Sequence, residues 1–310
     1  MAIASSQALP YCEEGKTNLK AIVFGCEGQL GVELVKLLSA RGHEVTGFRR
    51  RDVDITDQAL LEQTMASLDP NLVFNAAAYN KVDVAESEPQ AAYAANALAV
   101  RNLAIACRQN DARLIHFSTD YVFDGMLGRP YREDDAVRPL SAYGVSKLAG
   151  EFYAQAYCDS ALILRTSGVF GAQGLRTANG NFVETMLRLA AKDAPIRVVA
   201  DFLASPTYSP ELARFALDLT ERQATGIFHA GGGQAISWFD YAKLIFARAG
   251  LNPILEVADS RLYRTPARRP KFSALENARA ASLGIAPFPP FAEQVDRYFT
   301  ARQELLNTAT

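Results

Sequence analysis

Leu19–Gly31 reads LKAIVFGCEGQLG: an apolar run, glycines at 25, 28 and 31, then an amphipathic pattern that continues to about Ala40 and stops near Gly42. Strand, glycine-rich turn and helix in that order are the opening of a βαβ unit. The glycines allow a tight turn and let the backbone approach a pyrophosphate. The first turn of the helix supplies unpaired N–H groups and a positive field. A glycine triplet alone also closes ordinary strand–helix turns. Its place in the first crossover is what makes Gly25, Glu27, Gly28, Gln29, Leu30 and Gly31 candidates for a dinucleotide site.

Outward from this turn the pattern repeats. Strand-like runs at 44–48, 72–75, 113–118 and 161–165 alternate with helical patterns from Asp57, over 89–109 and around Tyr143. Such alternation requires crossover connections and a parallel sheet covered on both faces. The expected fold is α/β, a Rossmann-type doubly wound parallel sheet over 19–167. After Ser167 the texture changes to a glycine-rich loop (168–180), a helix at 182–191 and a strand at 196–200. A helix at 210–222 and a strand at 227–229 are placed to return to the main sheet. From Gly250 the chain reads as short elements between prolines. Residues 168–310 are thus expected to form mainly a smaller, mixed α/β C-terminal substrate domain, and residues 1–18 a flexible leader.

Composition narrows the class. The 310 residues carry a net charge of −2, which gives no general attraction for nucleic acid. No apolar run approaches the roughly 20 residues that span a bilayer, so no membrane partner is expected. The four cysteines form no CxxC pair and read as reduced thiols of a cytoplasmic protein. The three histidines are dispersed, so no metal site is expected.

The residues after the second strand bear on the form of the cofactor. An acidic side chain there would bond a ribose 2′-hydroxyl, whereas arginine accommodates a 2′-phosphate. The sequence has Phe48 followed by Arg49, Arg50 and Arg51. A solvated basic turn is the plain alternative. After a glycine turn, however, guanidinium forks favour NADP(H), with NAD(H) as the second choice. Asp54 and Ile55 are placed to border the adenine, and Ala76, Ala77 and Ala78 leave room for a dinucleotide at the end of the third strand.

Ser118–Lys147 carries the chemistry. Ser141 is an expected N-cap, and Tyr143 and Lys147 then share one helix face, about 6 Å apart along the axis. Reducing a carbonyl needs hydride at carbon and a proton at oxygen, and the protein must supply the proton. Tyr143 is the expected donor and Lys147 the cation that stabilises its phenolate. Thr119, at the end of the fourth strand, offers a hydroxyl to the same oxygen.

With these stretches in hand the chain resembles the extended short-chain dehydrogenase/reductases, which the GxxGxxG spacing suits. Within them it is similar to the dTDP-4-dehydrorhamnose reductase family. The carrying segments are FGCEGQLG (24–31), NAAAYNKVDVAESEP (75–89), STDYVFDG (118–125), PLSAYGVSKLAGE (139–151), RTSGVFG (165–171), SPTY (205–208) and TPARRP (265–270). The resemblance implies a Thr119–Tyr143–Lys147 catalytic set and reduction of a 4-keto group on a nucleotide-linked 6-deoxysugar. It implies that Val82, Asp83, Glu86, Asp120 and Tyr121 lie near the sugar, with Asn181, Arg268 and Arg269 toward the diphosphate. A homodimer is common among the enzymes it resembles.

Two positions depart from that family's pattern: Gly168 stands where tryptophan is usual, and Phe272 where asparagine is usual. Both fall on the substrate side. Tyr121 replaces the glutamate of related dehydratases, which disfavours dehydration or epimerisation. A nucleotide-binding regulatory subunit, similar to the β subunit of methionine adenosyltransferase, is the alternative of a different class.

Overall fold

The computed structural model describes residues 18–177, 180–192, 194–262 and 264–308, so the expected leader lies outside them except for Asn18. The first half of the chain forms β1 (Lys20–Phe24), α1 (Gln29–Ala40), β2 (Glu44–Phe48), α2 (Gln58–Leu68), β3 (Leu72–Asn75), α3 (Pro89–Tyr93), α4 (Ala99–Gln109), β4 (Arg113–Thr119), α5 (Ala142–Tyr157) and β5 (Leu162–Thr166). There follow α6 (Phe182–Ala190), β6 (Ile196–Val199), β7 (Leu203–Ala204), α7 (Ser209–Glu221), β8 (Gly226–Ala230) and β9 (Ile236–Ser237). The chain ends with α8 (Trp238–Ala249), β10 (Leu255–Ala258), α9 (Ala278–Ser282) and α10 (Phe291–Asn307).

Six parallel strands make the main sheet in the order β2-β1-β3-β4-β5-β8. This is the doubly wound Rossmann arrangement the alternation predicts. Side chains alternate across it with period two. Ala21 and Val23 of β1 face Leu34 and Leu38 of α1 and Leu212 of α7. Ile22 and Phe24 face the opposite layer, with Leu61 and Met65 of α2 and Leu103 of α4. Burial on both faces is why these strands read as unbroken apolar runs. Leu103 is fully buried, and its truncation to alanine would cost about 2–5 kcal/mol.

The order reverses between β1 and β3, and a crevice opens there at the carboxyl ends of the strands. The predicted long helix over 89–109 is interrupted by a π-helical turn at Ala94–Leu98. The turn holds buried Asn96, whose side chain bonds both backbone polar groups of Tyr79 and the Ser146 hydroxyl of α5. Ser141 caps α5 as expected, accepting from Gly144 N at 3.2 Å.

Beyond β5, β8 returns to the main sheet with α7 packed on α1. The rest builds its own core from residues such as Phe170, Val183, Tyr241, Ile245, Phe291 and Val295. Two small sheets accompany it, parallel β6–β10 and antiparallel β7–β9. The tail is more regular than its prolines suggest. The helix α8, for which the sequence reading has no element, is capped by Ser237 and closed by Gly250 at φ +65°. The helix α10 runs 17 residues from directly after Pro290. Proline is tolerated at a helix entrance, where no N–H partner is lost, so Pro290 marks a start and not a loop.

Candidate active site

The turn after β1 is shaped by what it lacks. Gly25 has φ +77°, and a Cβ there would lie 2.8 Å from Ala77 N; a Cβ on Gly31 would lie 2.1 Å from Gly25 O. Both positions therefore need glycine. Gly28 is the N-cap of α1 and offers no side chain to its first turn, which leaves the helix N-terminus available to an anion.

Two adjoining hollows run along the carboxyl edge of the sheet and share Gly28 and Ala76, Ala77 and Ala78. The outer one, about 420 Å³, is bordered by Gly25, Glu27, Arg49, Arg50, Asp54 and Ile55. Arg49 is gripped by Asp52, Nε to Oδ2 at 2.6 Å and Nη2 to Oδ1 at 2.8 Å, and reaches Glu27 at 3.4 Å. That pairing holds the Asp52 carboxyl down at about 2. Arg50 is largely exposed, with Nε 3.1 Å from Asp54 Oδ2. The basic turn is thus an ion-pair network beside a cavity, with Arg50 the less constrained of the two.

The inner hollow, about 320 Å³, meets Gln29, Leu30, Thr119, Tyr143, Lys147 and Thr166. Lys147 is buried, with Nζ donating to Phe117 O at 2.6 Å. Burial pushes its ammonium down to about 8, against the pull of Glu151. Burial pushes the Tyr143 phenol up to about 12; a hydrogen bond with Thr119 opposes this and the Asp120 charge adds to it. The net shift runs opposite to the lowering expected from Lys147, because burial dominates it. A phenol raised this way keeps its proton at neutral pH, which is the state a ketone reduction consumes.

The residues expected on the substrate side divide in two. Asp83 and Arg269 are paired, Nη2 to Oδ2 at 2.8 Å and Nη1 to Oδ1 at 3.0 Å, and Arg269 also reaches the Tyr121 phenol. The Tyr121 ring meets Tyr143 edge-on at 6.0 Å, and Val82 packs in the same apolar group. Arg268 is exposed beside them. The others are engaged by partners within the chain. Glu86 accepts from Ala142 N at 2.8 Å, at the mouth of α5. Asn181 caps α6 and gives its amide to Gln29 Oε1 at 2.8 Å and Gly171 O at 3.0 Å. Asp120 is buried under three hydroxyls, Ser273 at 2.6 Å, Ser167 at 2.8 Å and Thr119 at 3.1 Å. Desolvation still lifts its carboxyl to about 6.

Gly168 has φ +48°, and a Cβ there would come 3.3 Å from Trp238 Cη2, so an aromatic ring already stands at that wall. Phe272 bridges to Leu203. The sequence reading misses Thr166 and the buried pair of Arg165 and Glu151, 2.7 Å apart behind Lys147. An arginine within the apolar strand ALILR was the available signal for that pair. Among the described residues no group of three or more His, Cys, Asp or Glu is placed to hold a metal.

The model of the RmlD substrate binding domain family matches residues 19–304. The chain belongs to this family of dTDP-4-dehydrorhamnose reductases. It is 38% identical to the dTDP-4-dehydrorhamnose reductase of Aggregatibacter actinomycetemcomitans over 285 residues, covering 86% of this chain and 94% of that one. The enzyme of that name from Mycolicibacterium smegmatis is 39% identical over 279 residues, 88% and 83% of the two chains. Among solved structures, the dTDP-4-dehydrorhamnose reductase of Bacillus anthracis in complex with NADP superposes with a TM-score of 0.87 at 33% identity, over 92% of this chain and 99% of that one. NADP(H) fits the present site on its own terms. The uncapped helix start, the two positions closed to any Cβ and the guanidinium pair at the outer hollow suit its diphosphate and 2′-phosphate.

Proposed function

We propose that this member of the reductase family converts dTDP-4-dehydro-L-rhamnose to dTDP-L-rhamnose with NADPH as preferred donor and NADH as the lesser one. The observation that carries this is Tyr143, Lys147 and Thr119 converging on the inner end of a dinucleotide-sized cleft. The reduced nicotinamide supplies hydride to the ketone carbon. Tyr143 gives its proton to the oxygen that becomes a hydroxyl. Lys147, fixed to Phe117 O, keeps a positive charge near that oxygen, and Thr119 is the second polar group beside Tyr143. Residues outside the main sheet would carry the nucleotide sugar, with Tyr121 and Val82 against the sugar and Arg268 toward the diphosphate. Asp83 would act by holding Arg269.

We also read the chain as a cytoplasmic homodimer. NADPH is a reductant of the cell interior. On the outer face of α5, Val145 and Phe152 are exposed one heptad apart, with Tyr93 and Leu98 also exposed on the neighbouring stretch.

The test is direct. The protein is mixed with NADPH, dTDP-4-keto-6-deoxyglucose and a 3,5-epimerase, and loss of reduced-nicotinamide absorbance is followed. Turnover abolished by Tyr143→Phe supports the reading. No oxidation above that control overturns it and leaves the regulatory-subunit alternative.

A further inference from the structure

The Thr119 hydroxyl stands among three polar neighbours. Its Oγ1 accepts from Tyr121 N at 3.2 Å and donates to Asp120 Oδ1 at 3.1 Å, and it lies within hydrogen-bond reach of the Tyr143 phenol. A hydroxyl has one hydrogen to give and two lone pairs to accept with. One lone pair is taken by the Tyr121 amide. The direction of the other two bonds therefore turns on whether Asp120 can donate.

An ionised Asp120 only accepts, so Thr119 gives it the hydroxyl hydrogen. The lone pair that remains on Thr119 can only accept from Tyr143, which draws the phenol hydrogen away from the inner hollow. A protonated Asp120 reverses this. Its Oδ2 already accepts from Ser273 at 2.6 Å and Ser167 at 2.8 Å, so the added proton sits on Oδ1, facing Thr119. Thr119 then accepts from Asp120 and gives its own hydrogen to the Tyr143 oxygen. The phenol hydrogen is left for a ketone in the hollow. The field acts in the same sense, because the Asp120 charge opposes proton loss from Tyr143.

Asp120 is 3% exposed and borders neither hollow, so it acts from behind the site. The groups that face it are Tyr121 from its own turn, Tyr143 from α5, and the hydroxyls of Ser167 and Ser273. The cations of the site are engaged elsewhere, Lys147 by Phe117 O and Arg269 by Asp83. Desolvation places the titration of Asp120 at about 6.

We infer that Asp120 is a positioning residue that sets the direction of the Thr119–Tyr143 hydrogen bond, so that Tyr143 presents its proton to the ketone when Asp120 is protonated. This rests on the reading of Tyr143 as proton donor. The Asp120 proton is not consumed in turnover; only two hydroxyl hydrogens turn.

The experiment follows two readouts across the Asp120 titration in wild type, Asp120→Asn and Ser273→Ala. The first is the NMR signal of Tyr143 Cζ in protein labelled at that carbon of its tyrosines, assigned by its loss in Tyr143→Phe. It needs neither cofactor nor substrate. The second is kcat/KM for the nucleotide sugar. In wild type both are expected to step near pH 6, with kcat/KM about tenfold higher on the acid side. Asp120→Asn is neutral throughout, and its amide nitrogen is left to face Thr119 as a donor. It is expected to show no step in either readout, with kcat/KM above the wild-type value on the alkaline side. Ser273→Ala removes a donor that favours the carboxylate, so both steps should move to higher pH. Wild type without a Cζ step near pH 6 overturns the assignment, as does a step that persists in Asp120→Asn. So does a flat Asp120→Asn profile at or below the wild-type alkaline value, or a step that Ser273→Ala leaves in place. Ser273→Ala decides alone where Asp120→Asn does not fold. A Cζ step with the expected variant pattern, in a protein that does not turn over the nucleotide sugar, removes the assigned reaction and supports the hydrogen-bond assignment.

Discussion

Asp83 and Arg269, 186 positions apart in sequence, meet in two parallel hydrogen bonds of 2.8 and 3.0 Å. Asp83 also accepts from Ala267 N at 3.1 Å, so one carboxylate ties down the 265–270 loop at three points. The pair pins the 265–270 loop, which under the proposed function borders the nucleotide sugar. Asp83→Ala is expected to raise the KM for the nucleotide sugar tenfold or more while the NADPH Kd stays within twofold. Steady-state kinetics with calorimetry checks this, and a matching loss of NADPH affinity would count against it.

Tyr143→Phe removes the hydroxyl proposed as the proton donor and little else. The expected loss in kcat is about 10²–10⁴-fold, with NADPH binding preserved. The wild-type alkaline limb of kcat/KM should fall near pH 8, where Lys147 loses its charge, and not near 12, where Tyr143 titrates. A pH–rate profile decides, and a limb at pH 10 or above would contradict this assignment.

Cofactor choice is expected to reside in the basic turn. Arg50→Ala should weaken NADPH about tenfold and leave NADH within twofold, since only the former presents a 2′-phosphate to a charge-assisted bond. Arg49→Ala should do the same with an added cost, because Asp52 and Glu27 lose their common partner. Binding titrations with both nucleotides measure it; equal losses for the two would defeat the 2′-phosphate assignment.

Asp120 makes stability depend on pH in a direction unusual for a carboxylate. Burial raises its folded value to about 6 from the ordinary 3.8, so between these values the folded state holds a proton that the unfolded chain has released. Stability from this group is therefore greatest at low pH and is lost as pH rises from about 4 through 6. In Asp120→Asn that slope is absent. The difference in unfolding free energy, variant minus wild type, should grow by about 2–3 kcal/mol between pH 4 and pH 7. Urea unfolding across that range tests it, and a constant difference would rule it out.

The fold and the layout of the candidate chemical centre were legible because their signals are local. Leu19–Gly31 contains a strand, a turn and a helix start within 13 residues, and Ser141, Tyr143 and Lys147 lie on adjacent turns of one helix. The contacts of the residues expected on the substrate side were not legible, for the converse reason. The partners of Asp83, Asp120 and Asn181 lie 186, 153 and 152 positions away, and nothing in a linear pattern says that a polar side chain will be consumed by another. Gly168 illustrates the same point. Its missing side chain looked like missing aromatic surface until α8 brought Trp238 to the spot. Thr166 was passed over because one hydroxyl at the end of a strand is unremarked until its neighbours are counted.

The edge strand β8 also constrains how the molecule is made. It is supplied by residues 226–230, after the chain has already left the main sheet. Until those residues emerge from the ribosome, β5 presents five buried-type residues, Leu162–Thr166, as an open edge. A nascent chain of 167 residues thus has its nucleotide turn and its tyrosine but a sticky, unfinished flank. Completion of the sheet waits for residues made after the chain has left it, so a premature stop between Thr166 and Gly226 should yield an aggregating fragment and not a small nucleotide-binding protein.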